Sequence, residues 1–516
     1  MNFMENMKET LNEEFNESVT ENGAVGYRTT GREILDFNFK IASYRDKKEN
    51  EIIKDFERVF QDNKILAMQF LFFIRDREEG LGERRLFRII IKHLGITEPE
   101  MVVKLIPVIA VYGRYDDLLI FFNTRLEDEV INYFAKTLIE DGKRYRENKS
   151  ISLLAKWLPS INASKKQRKL ALGIIDKLKV SKKEYRKMLS TFRKYIDVVE
   201  RKMCANEWEK IDYGKVPSRA NLNYNDAFLR HDEERRRAFL GNVQKGEKKI
   251  HASKLYPHDI VHKYTNGYSF IDNAKDDTLE ELWKALPAKN IANTLVVADG
   301  SGSMTSHIGN TKISALDVAN ALAIYFAEHN KGEFKDKYIT FSENPKFVDL
   351  STCTTLHSKI NKAFAYDEVA NTNIEKVFDL ILGTAKKYKM SQEEMPANIL
   401  IISDMEFDSC ACIGNTRGYW DFKKPNKKLF KVISERYEEA GYKLPRLVFW
   451  NVSSRTETIP VKENDLGVAL VSGFSINIAE MVMSNNLKPL GALLEKLGTE
   501  RYKKILEILA ITVDEC

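Results

Sequence analysis

The chain has 516 residues, is 43% hydrophobic and 30% charged, and carries a formal net charge of +6. Those values exclude a disordered polypeptide, and the length exceeds what one ordinary core fills, so two or more domains are expected. No apolar run is long enough to span a bilayer, and the opening stretch Met1 to Glu14 is acidic and polar rather than signal-like. Five cysteines (Cys204, Cys353, Cys410, Cys412 and Cys516) are few and odd in number, which fits a reducing, cytoplasmic setting without a disulfide framework.

Residues 1–30 read as an N-terminal extension. A helical domain over 31–285 follows, because apolar residues recur there at three- and four-residue spacing. Ile52, Phe56, Val59 and Phe60 form one such face, and Ile65, Met68, Phe72 and Phe73 the next. Leu86, Ile89, Ile90 and Leu94 give a third, and Val102, Leu105, Ile106, Ile109 and Ala110 a fourth. Scarce prolines and short loops predict a HEAT-like stack of paired helices whose repeat is structural rather than sequential.

Charge is uneven within that domain. Residues 141–270 carry roughly +16, and the flanking parts together are acidic. The block contains Lys165, Lys166, Arg168 and Lys169, then Lys182, Lys183, Arg186 and Lys187. Tyr185, Phe192, Tyr195, Trp208 and Tyr213 interleave with the basic residues. Such a mixture suits phosphate neutralisation and base stacking, with a solvated lysine-rich surface over core aromatics as the alternative.

A hinge is expected at Asn273 to Lys289, and an α/β domain over 290–516. There, β-rich runs at Thr294–Ala298, Lys337–Phe341, Lys346–Leu350, Ile399–Asp404, Arg446–Asn451 and Val468–Val471 alternate with helical patterns. The helical stretches are Lys312–His329, Ile374–Tyr388, Lys427–Ala440 and Asn477–Met483. Alternation of this kind predicts a mostly parallel sheet, whose ligands bind at the carboxyl ends of its strands.

At such an end stands Asp299-Gly300-Ser301-Gly302-Ser303. One carboxylate and two hydroxyls at alternate positions make a hard, oxygen-only site suited to Mg²⁺, with Mn²⁺ or Ca²⁺ as alternatives. Thr372, before the helix from Ile374, could add a hydroxyl, and Asp404 ends a buried strand on the same sheet edge. Together these loops make a five-group oxygen site.

D-x-S-x-S, a threonine about seventy residues on and an aspartate at a later strand end resemble the metal-ion-dependent adhesion site (MIDAS) of von Willebrand factor A domains. The resemblance implies Asp299, Ser301, Ser303, Thr372 and Asp404 as metal ligands. Ala370-Asn371 stands where that family usually has Gly-Gly or Gly-x. In the helical half, Arg75-Asp76, Gly80-Leu81-Gly82-Glu83-Arg84 and Tyr112-Gly113-Arg114-Tyr115-Asp116-Asp117-Leu118 resemble the TROVE module of Ro ribonucleoproteins. Lys156-Trp157-Leu158-Pro159-Ser160, Val216-Pro217-Ser218 and Pro257-His258-Asp259-Ile260-Val261 are more similar to an uncharacterised Ro-like family of the domain-of-unknown-function type.

The resemblance implies a cytoplasmic, non-catalytic RNA-binding protein, with small or structured RNA or single-stranded ends as partners and a monomer expected. A protein partner could donate a carboxylate to the metal. A metal-dependent interaction scaffold without RNA is the alternative, and a metal-dependent hydrolase the remote one, because no general base is placed beside the metal. His258 and His262 lack a third zinc ligand, Cys410 and Cys412 lack a second pair, and His307 reads as a rim residue.

Overall fold

The computed structural model describes residues 4, 7, 15–267, 269–271, 274–289, 291, 293–309, 311–367, 373–408, 429–460, 468–482 and 488–510. They divide into two compact units that do not follow the chain in simple order. One comprises Met1–Lys48 with Leu255–Lys496, and the other Glu49–Lys254 with Leu497–Cys516. A division at 285–290 follows the change in sequence texture, whereas the compact units change over at Lys48, Lys254 and Lys496.

In the helical unit, successive amphipathic helices pack on their neighbours, among them Glu49–Asp62, Lys64–Arg75, Arg84–Thr97 and Pro99–Tyr112. Lys64–Arg75 is buried from Ala67 to Arg75 and capped at its start by the Asn63 side chain on the Leu66 N–H. Ile65, expected in its core face, is instead 38% exposed. The late helix Glu500–Ala510 packs on it and on Pro99–Tyr112.

The G-R-Y-D-D stretch has a packing role. Asp117 is fully buried and accepts from Arg75 Nε at 2.8 Å and Arg88 Nε at 2.6 Å. A Cβ at Gly113 would stand 2.4 Å from Asp117 Oδ2 and 2.8 Å from Arg75 Nε, so the ion pair demands glycine there. Asp76 binds Arg501 and the Tyr502 hydroxyl, tying the late helix into the unit.

The other unit holds a six-stranded sheet ordered β5-β4-β3-β6-β7-β8. Its strands are β3 (Thr294–Asp299), β4 (Lys337–Phe341), β5 (Lys346–Asp349), β6 (Asn398–Ser403), β7 (Arg446–Asn451) and β8 (Val468–Ser472). Only the β4–β5 pairing is antiparallel. Central strands covered on both faces are apolar throughout. Val297, Ile401 and Phe449 face the helix Glu375–Tyr388, while the helix Ala315–His329, buried from Ala315 to Ala327, covers the opposite face. The latter starts with a capping box between Ser314 and Asp317.

Two expectations change here. The N-terminal stretch forms a hairpin of β1 (Glu17–Val19) and β2 (Val25–Tyr27), and the helix Glu33–Lys40 docks on β8. The expected hinge contains the helix Asp277–Lys284, whose residues Thr278–Trp283 are buried. Its Glu280 carboxylate receives the Leu356 and His357 N–H groups at 2.8 and 3.0 Å, capping the helix Leu356–Tyr366. The charge density of Asp276, Asp277, Glu280 and Glu281 disguised a structural helix as a linker.

Asp117→Ala would leave Arg75 buried without its carboxylate. A loss of about 3–5 kcal/mol in the stability of the helical unit is expected, read as an earlier transition in urea.

Candidate metal centre

Brought in parallel beside β3, β6 sets the two carboxylates on one sheet edge. The chain order of the strands reverses between these two, which is where open α/β sheets form ligand crevices. Asp299 ends β3 and Asp404 follows β6, both buried. Asp299 Oδ1 accepts the Ser301 N–H at 2.9 Å, and its Oδ2 accepts the Ser403 hydroxyl at 2.5 Å. Ser301 Oγ and Ser303 Oγ lie 3.1 Å apart, and the Ser303 side chain hydrogen-bonds Asp404. Four of the five expected ligands, Asp299, Ser301, Ser303 and Asp404, therefore meet. Thr372 lies outside the described residues, as do Cys410 and Cys412.

A third carboxylate, not expected from the sequence, stands beside the first loop. Asp367 Oδ2 accepts from Asn320 Nδ2 at 2.7 Å, and its Oδ1 accepts from the Thr340 hydroxyl at 3.3 Å. A Cβ on Gly300 would come within 2.8 Å of Asp367 Oδ1 and 2.9 Å of Thr340 Oγ1, so the loop approaches this pair as only glycine can. No local motif marks Asp367, because the fold brings it from the end of a helix to β4.

Burial dominates the electrostatics. It pushes the Asp299 carboxyl up to about 6, against the lowering effect of its bonds from Ser301 and Ser403. Burial, then the charge of Asp299, pushes Asp404 up to about 7. Burial also takes Asp367 to about 7, with Asp299 adding to the rise. No ion pair reaches Asp299 among the described residues. Arg455 Nη2 stands 3.7 Å from Asp404 Oδ2 but is already committed to Glu21 at 2.6 Å.

Among the described residues, no three His, Cys, Asp or Glu side chains form a ready metal cluster. The donor set here mixes two carboxylates with two hydroxyls, all oxygen, and the one cation in ion-pair range among the described residues, Arg455, is shared with Glu21. That chemistry fits a hard divalent ion better than zinc. His262 Nδ1 is bound to Asp317 at 2.8 Å and His258 is buried between Tyr256 and Phe474, which leaves that pair as packing residues.

Glu406, two residues beyond Asp404, is equally buried but fully satisfied. It accepts from the backbone N–H groups of Glu21, Arg455 and Thr456 and from the hydroxyls of Ser454 and Thr456. Its work is structural: it joins the N-terminal hairpin and the turn after β7 to the loop after β6.

The basic residues lie in the helical unit. Lys165, Lys166, Arg168 and Lys169 open the helix Lys165–Leu178, and Lys182, Lys183, Arg186 and Lys187 open Lys182–Tyr195. All eight are exposed, while Ala171, Ile174 and Ile175, and then Tyr185, Leu189 and Phe192, face inward. The aromatics expected among them mostly serve the core. Tyr185 is buried with its hydroxyl on the Pro159 carbonyl, and Tyr213 is buried, while Trp208 is half-buried and stacks on His231.

Comparison with known proteins gives no activity. Residues 293–496 match a domain of unknown function, DUF7788, and residues 165–292 match another, DUF2828. The chain is similar to "Uncharacterized protein L728" of Acanthamoeba polyphaga mimivirus, at 28% identity over 93% of this chain and 87% of that protein. No helix among the described residues is long and apolar enough to cross a membrane.

Raised folded-state carboxyls add stability at low pH that is lost as pH rises through their folded values. In metal-free buffer the sheet unit should therefore lose stability between about pH 4 and pH 8. Asp404→Asn should flatten this fall and raise metal-free stability at pH 8 by about 1–3 kcal/mol. Thermal denaturation across pH, in chelator, measures both.

Proposed function

We propose that the chain is a non-catalytic RNA-binding protein of the Ro type, with a HEAT-like TROVE-like helical domain and a von Willebrand factor A-like domain carrying a divalent-metal adhesion site. One observation carries the RNA assignment. Eight exposed cations open two successive helices, and none has a carboxylate within ion-pair distance among the described residues. Cations left without a carboxylate partner are available to phosphates, and their counterions are released when phosphates bind. The buried aromatics argue for backbone contact over extensive base stacking, which suits small or structured RNA as well as single-stranded ends.

On the sheet unit, Asp299, Ser301, Ser303 and Asp404, with Thr372, would hold Mg²⁺, or Mn²⁺ or Ca²⁺ in its place. The ion would supply an electropositive anchor for a partner's carboxylate. The all-oxygen donor set and the burial of its carboxylates beside a single guanidinium held mainly by Glu21 support this reading. A second reading, a metal-dependent interaction scaffold in the cytoplasm without RNA, draws on the core position of Tyr185, Phe192 and Tyr213, which removes most of the expected stacking platform.

Fluorescence anisotropy with a labelled structured RNA separates the two readings. Four phosphate contacts would cost about 50-fold (single-stranded) to 150-fold (duplex) in affinity between 50 and 200 mM salt. Joint replacement of Lys165, Lys166, Arg168 and Lys169 by Glu should abolish most of the binding and most of that salt dependence. Absence of salt-sensitive binding in the unaltered protein would leave the scaffold reading standing.

A further inference from the structure

One cation stands at the edge of the carboxylate cluster. Arg455 Nη2 is 2.6 Å from Glu21 Oε2 and 3.7 Å from Asp404 Oδ2, and the side chain is 42% exposed. Its backbone does not share that freedom, because the Arg455 N–H is held by Glu406 Oε1 at 2.8 Å. Glu21 is rooted on the same carboxylate, its N–H on Oε2 at 2.8 Å. Asn22 adds a side-chain bond to the Glu406 carbonyl at 2.6 Å, and Thr20 another to the Phe407 carbonyl at 2.6 Å. A cation and an anion are thus fixed at their roots beside Asp404, and the guanidinium can move between two carboxylates without disturbing either backbone.

We propose that Arg455 is the resident counter-cation of the Asp299–Asp404 site, and that Glu21 of the N-terminal hairpin sets how much of its charge Asp404 feels. The inference rests on the metal-binding reading above. A divalent ion on the Asp404 side of the cluster repels the guanidinium, which must then lie wholly with Glu21. Metal affinity in this chain is therefore governed by a competition between two cations for one carboxylate, with Glu21 favouring the metal by retaining Arg455. Arg455 is a positioning residue, since it touches the carboxylate and not the ion.

Mn²⁺ binding to the full chain, followed by electron paramagnetic resonance of the free ion, tests the arrangement. Arg455→Gln keeps the backbone N–H and should tighten Mn²⁺ binding about tenfold, while Arg455→Lys should bind nearly as the unaltered protein does. Glu21→Gln should weaken binding severalfold, because Arg455 then turns fully to Asp404. The decisive measurement is the double variant. If Glu21 acts through Arg455, adding Glu21→Gln to Arg455→Gln changes nothing further, whereas a direct attraction between Glu21 and the metal would weaken binding equally in both backgrounds and overturn the proposal. Unchanged affinity in Arg455→Gln also overturns it. Absence of Mn²⁺ binding in the unaltered protein, matching an Asp404→Asn control, overturns the metal reading itself and this inference with it. Circular dichroism and melting of each variant confirm that the fold is kept.

Discussion

The site is governed by the cost of burying negative charge. Asp299 and Asp404 stand at the ends of adjacent parallel strands, where both sheet faces are covered and water cannot solvate them. Two hydrogen bonds to Asp299 do not offset that cost, and its carboxyl rises to about 6. A sheet edge built this way favours the protonated form of its carboxyls.

Glu406 shows that the fold can do otherwise. It lies on the same loop and is as deeply buried, yet three backbone N–H groups and two hydroxyls converge on it. Asp404, two residues away, receives fewer: the Glu406 N–H at 3.2 Å and the Ser303 side chain, with the Arg455 guanidinium at 3.7 Å. Buried charge that is saturated with donors is part of the scaffold, and buried charge left short of them is the better sign of a ligand. Asp117, paired with Arg75 and Arg88, belongs with Glu406.

Much of this was legible in the sequence where local pattern decides structure. The strands Lys337–Phe341 and Arg446–Asn451 fall where their apolar runs predict, and Asp299, Ser301, Ser303 and Asp404 converge as the strand-end rule requires. What was not legible depends on long-range placement. Asp367 reaches Gly300 only because its helix returns to β4, and the hairpin Glu17–Tyr27 has too little apolar sequence to announce a partner at Phe407 and Ile459. The helix Asp277–Lys284 was hidden by its acidic residues, of which Glu280 and Glu281 are buried as cap and partner instead of solvated. In the basic block, periodicity alone could not tell which aromatics turn inward, and packing made Tyr185 and Tyr213 core residues.

The route of the backbone has a consequence for synthesis. The helical unit takes its last helix, Glu500–Ala510, from beyond the sheet, while the sheet unit takes its hairpin and first helix from before the helical unit. Each unit therefore waits for the other to be translated. The hairpin emerges from the ribosome long before Phe407 and Ile459 exist to receive it, and Asp76 lacks its Arg501 partner until the helix Glu500–Ala510 has been made. Neither unit can close until the other's segment of chain has been made, and a fragment cut at 290 would separate the sheet from the segment that carries Glu21.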